Sequence, residues 1–470
     1  MSAPLRAGGF EDRAAAQLRK TALPLIIGKA TDTRELRRRE AFAGLDLAGL
    51  RSGAEAVRAH TVSNLDRYLE QFATEAEARG TKVFFAATGA EAVEYIGGVV
   101  RDRGRPLVVK AKSMASEEIG LAHALERDGV EVVETDLGEY IVQQAGEPPS
   151  HITAPAVHKT RQEIADLFSA RFGRPLPPDP EALTDAARQR LREGFLTAGV
   201  GISGVNFGIA DTGSLCLVTN EGNGRLVTSL PPVHIALMGM ERIVPTLAHL
   251  GLLLPMLVAS ASGRPLTAYT SFLAGPRRDG EPDGPDETHV VVLDNGRSEI
   301  LQGEFRSILH CIRCGACQNI CPVYRQVGGH AYGAVYGGPI GAVLTPLLVG
   351  FEQAGDLPHA SSLCGACTEV CPVGIPLHEH LLGLRREVAR ARPSGAERIS
   401  ARAWSFAWRT GPRFRMFVRA ARLAQRPFAW RGWIRRAPFP LSRWTRGRDL
   451  PSVAPVTFRE RWERRRKGPR

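Results

Sequence analysis

Seven of the eight cysteines in this 470-residue chain fall into two runs set fifty residues apart. The first holds Cys311, Cys314, Cys317 and Cys321 and ends in Pro322; the second holds Ser361, Cys364, Cys367 and Cys371 and ends in Pro372. CGACQNICPV in one run and CGACTEVCPV in the other are near-copies. Three thiolates at this spacing on a tight loop reach three corners of an iron–sulphur cubane, and the Cys-Pro that follows aims a fourth at a neighbouring cluster. Gly315 and Gly365 let the backbone come close and leave N–H groups for the sulphurs. Zinc sites typically use paired CxxC knuckles, and disulfides belong to oxidising compartments. The spacing predicts two iron–sulphur clusters and, with them, electron transfer.

This is the signature of two-cluster ferredoxins, but the repeat is imperfect. With crossed ligation, Cys311, Cys314, Cys317 and Cys371 complete a [4Fe-4S] cluster. The second site has only Cys321, Cys364 and Cys367, because Ser361 stands opposite Cys311. That site reads either as a [4Fe-4S] cluster with oxygen at its fourth iron, from Ser361, water or substrate, or as a [3Fe-4S] centre. Cys216 or a partner's side chain is the remaining source of a fourth ligand.

The charge is divided unevenly. Residues 401–470 carry 20 Lys+Arg against 3 Asp+Glu, whereas the first 400 residues carry 41 against 46. All six tryptophans lie in the same tail: Trp404, Trp408, Trp430, Trp433, Trp444 and Trp462. Arg with Trp suits an anionic membrane surface or an acidic partner; RNA is less favoured, and a solubilising tail is the bland alternative. Met1 to Lys20 is polar and charged, without the apolar core of a signal peptide. The most apolar stretch, Ile243 to Ser262, is broken by Pro245, His249 and Pro255 and reads as buried core. A cytoplasmic protein with reduced thiols is expected, associated with the inner membrane face if the tail docks there.

Four regions are predicted. Residues 1–60 form a helical N-terminal segment. From 60 to 300, apolar β-branched runs (VFFAA, PLVVKAK, VEVVETD, HVVVLD) alternate with amphipathic stretches, which argues for a parallel α/β sheet with crossover helices. A helix is expected over Glu117–Arg127 and a helical insertion over 158–198. The cluster region, 302–395, has a 39-residue link between Cys321 and Ser361, favouring an all-helical two-cluster arrangement. Residues 400–470 form the basic helical extension.

The segment GISGVNFGIADTGSLCLVTNEGNGRLVTSLPPVHIALMGMERIVP, with VVKAKSMASEEIG upstream, resembles the lactate-utilization (LUD) domain. CIRCGACQNICPVY and SLCGACTEVCPVGIPLHEHL follow it, as in the iron–sulphur subunits of bacterial lactate-utilization complexes. The resemblance covers essentially the whole chain, and the three-cysteine second run is similar to that family's form. It implies a fold like the sugar-phosphate isomerase and CoA-transferase group. It also implies a role as a subunit of an L-lactate-oxidising complex that feeds the respiratory chain. The implied companions are a cysteine-rich iron–sulphur subunit and a LUD-only subunit. Alternatives are service to another 2-hydroxy acid such as glycolate, a heterodisulfide-type reductase, a nucleic-acid-binding redox sensor, or clusters that only hold a complex together.

Ligands of open α/β sheets collect at strand carboxyl ends. Lys110, Lys112 and Ser113 leave one such strand just before a helix, a place where a carboxylate would find cations and N–H groups. The competing reading is a loop in which Ser116 caps a helix and Glu117 faces its dipole. Asn206, Asp211 and Thr212 sit among glycines in NFGIADTG, as in a ligand-lined turn or an ordinary hairpin. Glu221 in TNEGNG fits a plain turn better than a catalytic loop. His310, His330, His378 and His380 flank the clusters as supporting or surface residues. No GxGxxG or Walker motif appears. Lactate oxidation moves an electron pair and cubanes move single electrons, so the centre that splits the pair is expected on a partner.

Overall fold

The computed structural model describes residues 6–104, 106–391, 395–439, 441–446 and 448–467. It divides into two compact units, Met1–Val388 and Ala389–Arg470.

The first unit is built on a six-stranded sheet with β1 (Lys82–Ala86), β2 (Val108–Lys110), β3 (Val132–Glu134) and β4 (Val200–Gly204). A hairpin follows, β5 (Phe207–Ile209) with β6 (Ser214–Thr219), then β7 (Val233–Gly239), β8 (Ile243–Val244), β9 (Tyr269–Leu273) and β10 (Glu287–Leu293). The large sheet runs β1-β10-β7-β4-β2-β3, and every pair in it is parallel. Its central strand β7 is buried at all seven positions, as expected where helices cover both faces. After β1, β2 and β3 the chain turns into a helix through a capping side chain. Thr88 accepts from Glu91 N–H, Ser113 from Ser116 N–H, and Asp136 from Gly138 and Glu139 N–H. The single helix expected over Glu117–Arg127 is two, Met114–Glu118 and Leu121–Arg127, because Gly120 takes φ +63° and breaks the ladder.

A second sheet, β8-β5-β6-β9, stands apart from the parallel one and contains antiparallel pairs. In the β5–β6 turn Gly213 has φ +60°, and a Cβ there would lie 2.3 Å from the backbone nitrogen of Ala76. No other residue lets the hairpin press so closely on helix Leu65–Glu77. The apolar stretch after β8 is helix Leu247–Ser262, with Pro255 inside it; one face is buried, while Leu247 and Leu252 are exposed. Among the described residues, no helix is long and apolar enough to cross a membrane.

The cluster region is helical, with Ala316–Ile320, Pro322–Val327, Gly338–Val349, Ala366–Glu369 and Leu377–Ala391 among its elements and no strand among the described residues of 302–391. It shares one core with the N-terminal helices. Ile27 and Val57 from those helices, Leu250 and Met256 from the long apolar helix, and Ile308, Tyr324, Leu344 and Leu381 belong to the same apolar cluster.

The second unit holds helices Gly395–Trp408, Gly411–Ala424 and Phe458–Arg466 and a three-stranded antiparallel ribbon. All six of its tryptophans are exposed.

Candidate functional site

All eight cysteines are free thiols. Burial raises the thiol pKa of Cys314, Cys317, Cys321, Cys367 and Cys371, with Cys367 and Cys371 pushed up to about 11. Neighbouring sulphurs add to this, and they fall largely into two sets. Cys311 acts on Cys314, Cys317 and Cys371, and Cys371 acts back on Cys314. Cys364 acts on Cys321 and Cys367. Cys367 also acts on Cys317, which places the two sets side by side. Such thiols keep their protons until a cation displaces them, so both sets are made for positive charge.

Cys216 stands outside both sets. It lies in β6 opposite Phe207, fully buried, its thiol pushed up to about 12 by burial.

The two loops repeat in three dimensions. Arg313 and Leu363, one residue before Cys314 and Cys364, take φ +60° and +55°; Gly315 and Gly365 follow at +78° and +84°. Left-handed backbone at a non-glycine residue is strained and concentrates at functional sites. Arg313 N–H donates to Cys311 Sγ at 3.4 Å, and Leu363 N–H donates to Ser361 Oγ at 3.1 Å. Ser361 therefore occupies the place of Cys311. Further N–H groups reach Cys321 Sγ from Tyr324 at 3.5 Å and Cys371 Sγ from Ile375 at 3.4 Å. Cys364 is exposed, whereas every cysteine of the first set is buried or partly buried, so the second site is the one with a ligand open to solvent.

Arginines from other elements hold the first loop. Arg58, on helix Leu47–Ser63, is fully buried and donates to the carbonyls of Ile243 (2.8 Å), Leu309 (3.0 Å), His310 (3.2 Å) and Glu241. Arg242 donates to Cys311 O at 3.0 Å. Arg297 bridges Glu118 (2.8 Å) and Glu241 (2.7 Å), and Arg313 meets Glu241 at 3.0 Å while lying over the Tyr336 ring. Tyr336 OH donates to Glu118 at 2.7 Å. Burial alone would raise the Glu241 carboxyl, but Arg297, Arg313 and Arg242 outweigh it and hold it at about 2. Sequence reasoning missed these residues. The one local signal was a charged residue, Arg313, placed between two ligand cysteines.

A cavity of about 470 Å³ opens at the carboxyl ends of β2, β4 and β7. Lys112, Ser113 and Asn206 line it, as do Arg34, Arg242, Arg297 and Arg313. Ser113 also caps the next helix, and Asn206 Oδ1 accepts from Val218 N–H at 2.9 Å. Arg34 and Arg313 each keep a buried Nη1 without a partner among the described residues. Glu221 stands exposed at the rim. Lys110 and Asp211 do not line this cavity. The Lys110 ammonium is wholly buried between Glu134 (2.7 Å) and Glu117 (3.0 Å), a local ion pair that occupies it. Asp211 is exposed in the β5–β6 turn, and its neighbour Thr212 keeps a buried Oγ1 without a partner among the described residues. The flanking histidines are engaged elsewhere: His330 with Pro148 O, His378 with Thr368, His380 with Ser307, and His310 through its carbonyl.

The family model for the LUD domain matches residues 69–293, and that for a 4Fe-4S dicluster domain matches 307–375. The dicluster match together with the two cysteine sets implies two iron–sulphur clusters. A lactate utilization protein B from Bacillus licheniformis is 49% identical over 97% of both chains. Another from Shouchella clausii is 50% identical over 89% of this chain and 88% of its own. One from Geobacillus kaustophilus is 49% identical over the same shares. A solved structure of a duf162 family protein from Deinococcus radiodurans covers 49% of this chain and 98% of its own at 14% identity, with a TM-score of 0.26, too low to carry an argument.

Proposed function

The chain belongs to the lactate utilization protein B family, and from that premise we propose that it is the iron–sulphur electron-transfer subunit of a complex oxidising L-lactate to pyruvate. Lactate loses two electrons and two protons, from its C2–H and O–H, and leaves as pyruvate. Cys311, Cys314, Cys317 and Cys371 would hold one [4Fe-4S] cluster. Cys321, Cys364 and Cys367 would hold the second, with Ser361 or a solvent oxygen at the fourth iron or with that iron missing. When bound, such clusters take up and release single electrons. The partner that divides the electron pair and the acceptor beyond belong to a cysteine-rich subunit, a LUD-only subunit and the respiratory chain.

One observation carries the substrate side: the cationic cavity at the strand ends includes Arg313, which sits between two ligand cysteines. A small carboxylate there would meet the Lys112 ammonium and the unpartnered guanidinium nitrogens of Arg34 and Arg313. It would bind within one side chain of the first cysteine set, and the arginines would orient it without themselves changing charge.

The test is anaerobic. The protein with its co-purifying partners is mixed with L-lactate, and cluster absorbance and EPR are read against dithionite as full reduction. Lactate is expected to bleach a large fraction of the dithionite-reducible signal, and Lys112→Ala to raise the lactate concentration needed about tenfold or more, the scale of one lost charge-assisted contact. Bleaching by glycolate and not lactate would move the substrate to another 2-hydroxy acid. Clusters that dithionite cannot reduce would end the electron-transfer reading.

A further inference from the structure

On the far side of the Lys110 ion pair lies a second cavity of about 520 Å³, separate from the cationic one and of opposite character. Among the described residues its lining holds six glutamates against the single cation Arg6. At its edge Glu147, His158 and His330 each bring a ligand atom to within 4.8 Å of the others. The two imidazoles meet edge to face with centroids 4.5 Å apart. His330 Nε2 sits 2.8 Å from Pro148 O and must donate to it, which leaves a lone pair on Nδ1. His158 Nε2 lies 2.7 Å from Glu147 Oε2, and with the ring's proton on Nδ1 the Nε2 lone pair and that oxygen face the same cation. Nδ1 is buried without a partner among the described residues, on a side chain only 6% exposed. Neutral imidazole lone pairs with one carboxylate are the donor set of divalent first-row metals. Lys159, 2.9 Å from Glu147 Oε1, leaves the other oxygen for a cation.

We propose that Glu147, His158 and His330 form a divalent metal site of the zinc class, distinct from both cysteine sets. Glu147 and His158 come from the α/β part, and His330 from the turn that follows the Cys321–Pro322 helix. A bound cation therefore ties the sheet domain to the chain leaving the second cluster. The carboxylates of the adjoining cavity set the field that attracts it, and Arg6 and Lys159 oppose it, so binding is tunable.

The full-length, cluster-loaded protein is dialysed anaerobically against micromolar Zn²⁺, and zinc and iron are counted per chain. Wild type is expected to take up one zinc with its iron unchanged, while His158→Ala and His330→Ala lose it. Glu147→Gln, which keeps volume, is expected to weaken binding at least tenfold, and it supplies the reading if a histidine variant loses its clusters. His123→Ala, on the same cavity, is expected to bind as wild type does. Zinc K-edge absorption should show nitrogen and oxygen neighbours at about 2.0–2.1 Å. Zinc should also raise the unfolding midpoint of wild type but not of Glu147→Gln. No zinc uptake by cluster-loaded wild type, equal uptake by His330→Ala, or sulphur neighbours at about 2.3 Å would each overturn the site. None of these outcomes depends on lactate.

Discussion

Ser361 shows how much one atom can decide. Its Oγ accepts the N–H of Leu363 just as Cys311 Sγ accepts that of Arg313, so the loop is already shaped for a thiolate at that position. The backbone strain that the cysteine loop requires is present at Leu363 as well, at φ +55°. Replacing Ser361 with cysteine should therefore fit without rearrangement and give the second cluster a fourth sulphur. S361C is expected to slow air-driven loss of iron several-fold, read as retained iron and cluster absorbance over time, because the exposed second site is the one that solvent oxidants reach. Unchanged iron loss would mean that Ser361 does not face the cluster. Arg297 makes the complementary case in the interior. It is 1% exposed and lies between Glu118 and Glu241. Arg297→Met removes its charge and leaves Glu118 with only neutral partners while Glu241 keeps Arg313, at a cost of about 3–5 kcal/mol. A fall of that order in the unfolding free energy from a urea titration checks it.

At the scale of elements, helix Leu47–Ser63 acts through Arg58, which reaches carbonyls on both sides of the junction between sheet and cluster loop. Lysine cannot span them, since it has one nitrogen in place of a planar fork. Each buried carbonyl left without a donor costs about 1–3 kcal/mol. R58K is thus expected to lower stability by several kcal/mol and to speed the bleaching of the first cluster by an iron chelator, followed by absorbance. The elements that were legible in the sequence explain why this clamp was not. The cap expected at Ser116 is Ser113, with Ser116 inside the helix, but the Val108–Lys110 and Val132–Glu134 runs announce themselves within a few residues of chain. So do the cysteine spacings, because a cubane fixes them locally. Arg58, Arg297 and Tyr336 are ordinary residues whose roles exist only once segments 179 to 252 positions apart have met. The antiparallel sheet was hidden for a related reason: β9 pairs with β6 across the long apolar helix, and neither strand alone shows whose edge it will take.

The whole molecule joins a charge-balanced redox unit to a cationic, aromatic one. Its second unit buries only Ala407 and Ile434 among its described apolar residues, while Trp404, Phe406, Trp408, Phe417, Trp430 and Trp433 remain exposed beside its arginines. Arg413 lies over the Phe406 ring and Arg448 over that of Trp444. Amphipathic rings among guanidinium groups settle at the boundary between headgroups and acyl chains, with each basic group near an anionic surface contributing about 1 kcal/mol. Such docking would hold this unit at a membrane surface, and among the described residues no helix is long and apolar enough to cross one. Because every tryptophan of the chain lies beyond residue 400, indole emission from the intact protein reports on this unit alone. Vesicles containing anionic phosphatidylglycerol should shift that emission to the blue and carry the protein down on sedimentation. Neutral phosphatidylcholine vesicles should do neither, and raising ionic strength should release the protein, since the attraction is screened within about 10 Å at 0.1 M salt. A shift produced equally by neutral vesicles would leave apolar insertion without an electrostatic share. A shift produced by RNA and by no vesicle would assign the arginines to nucleic acid.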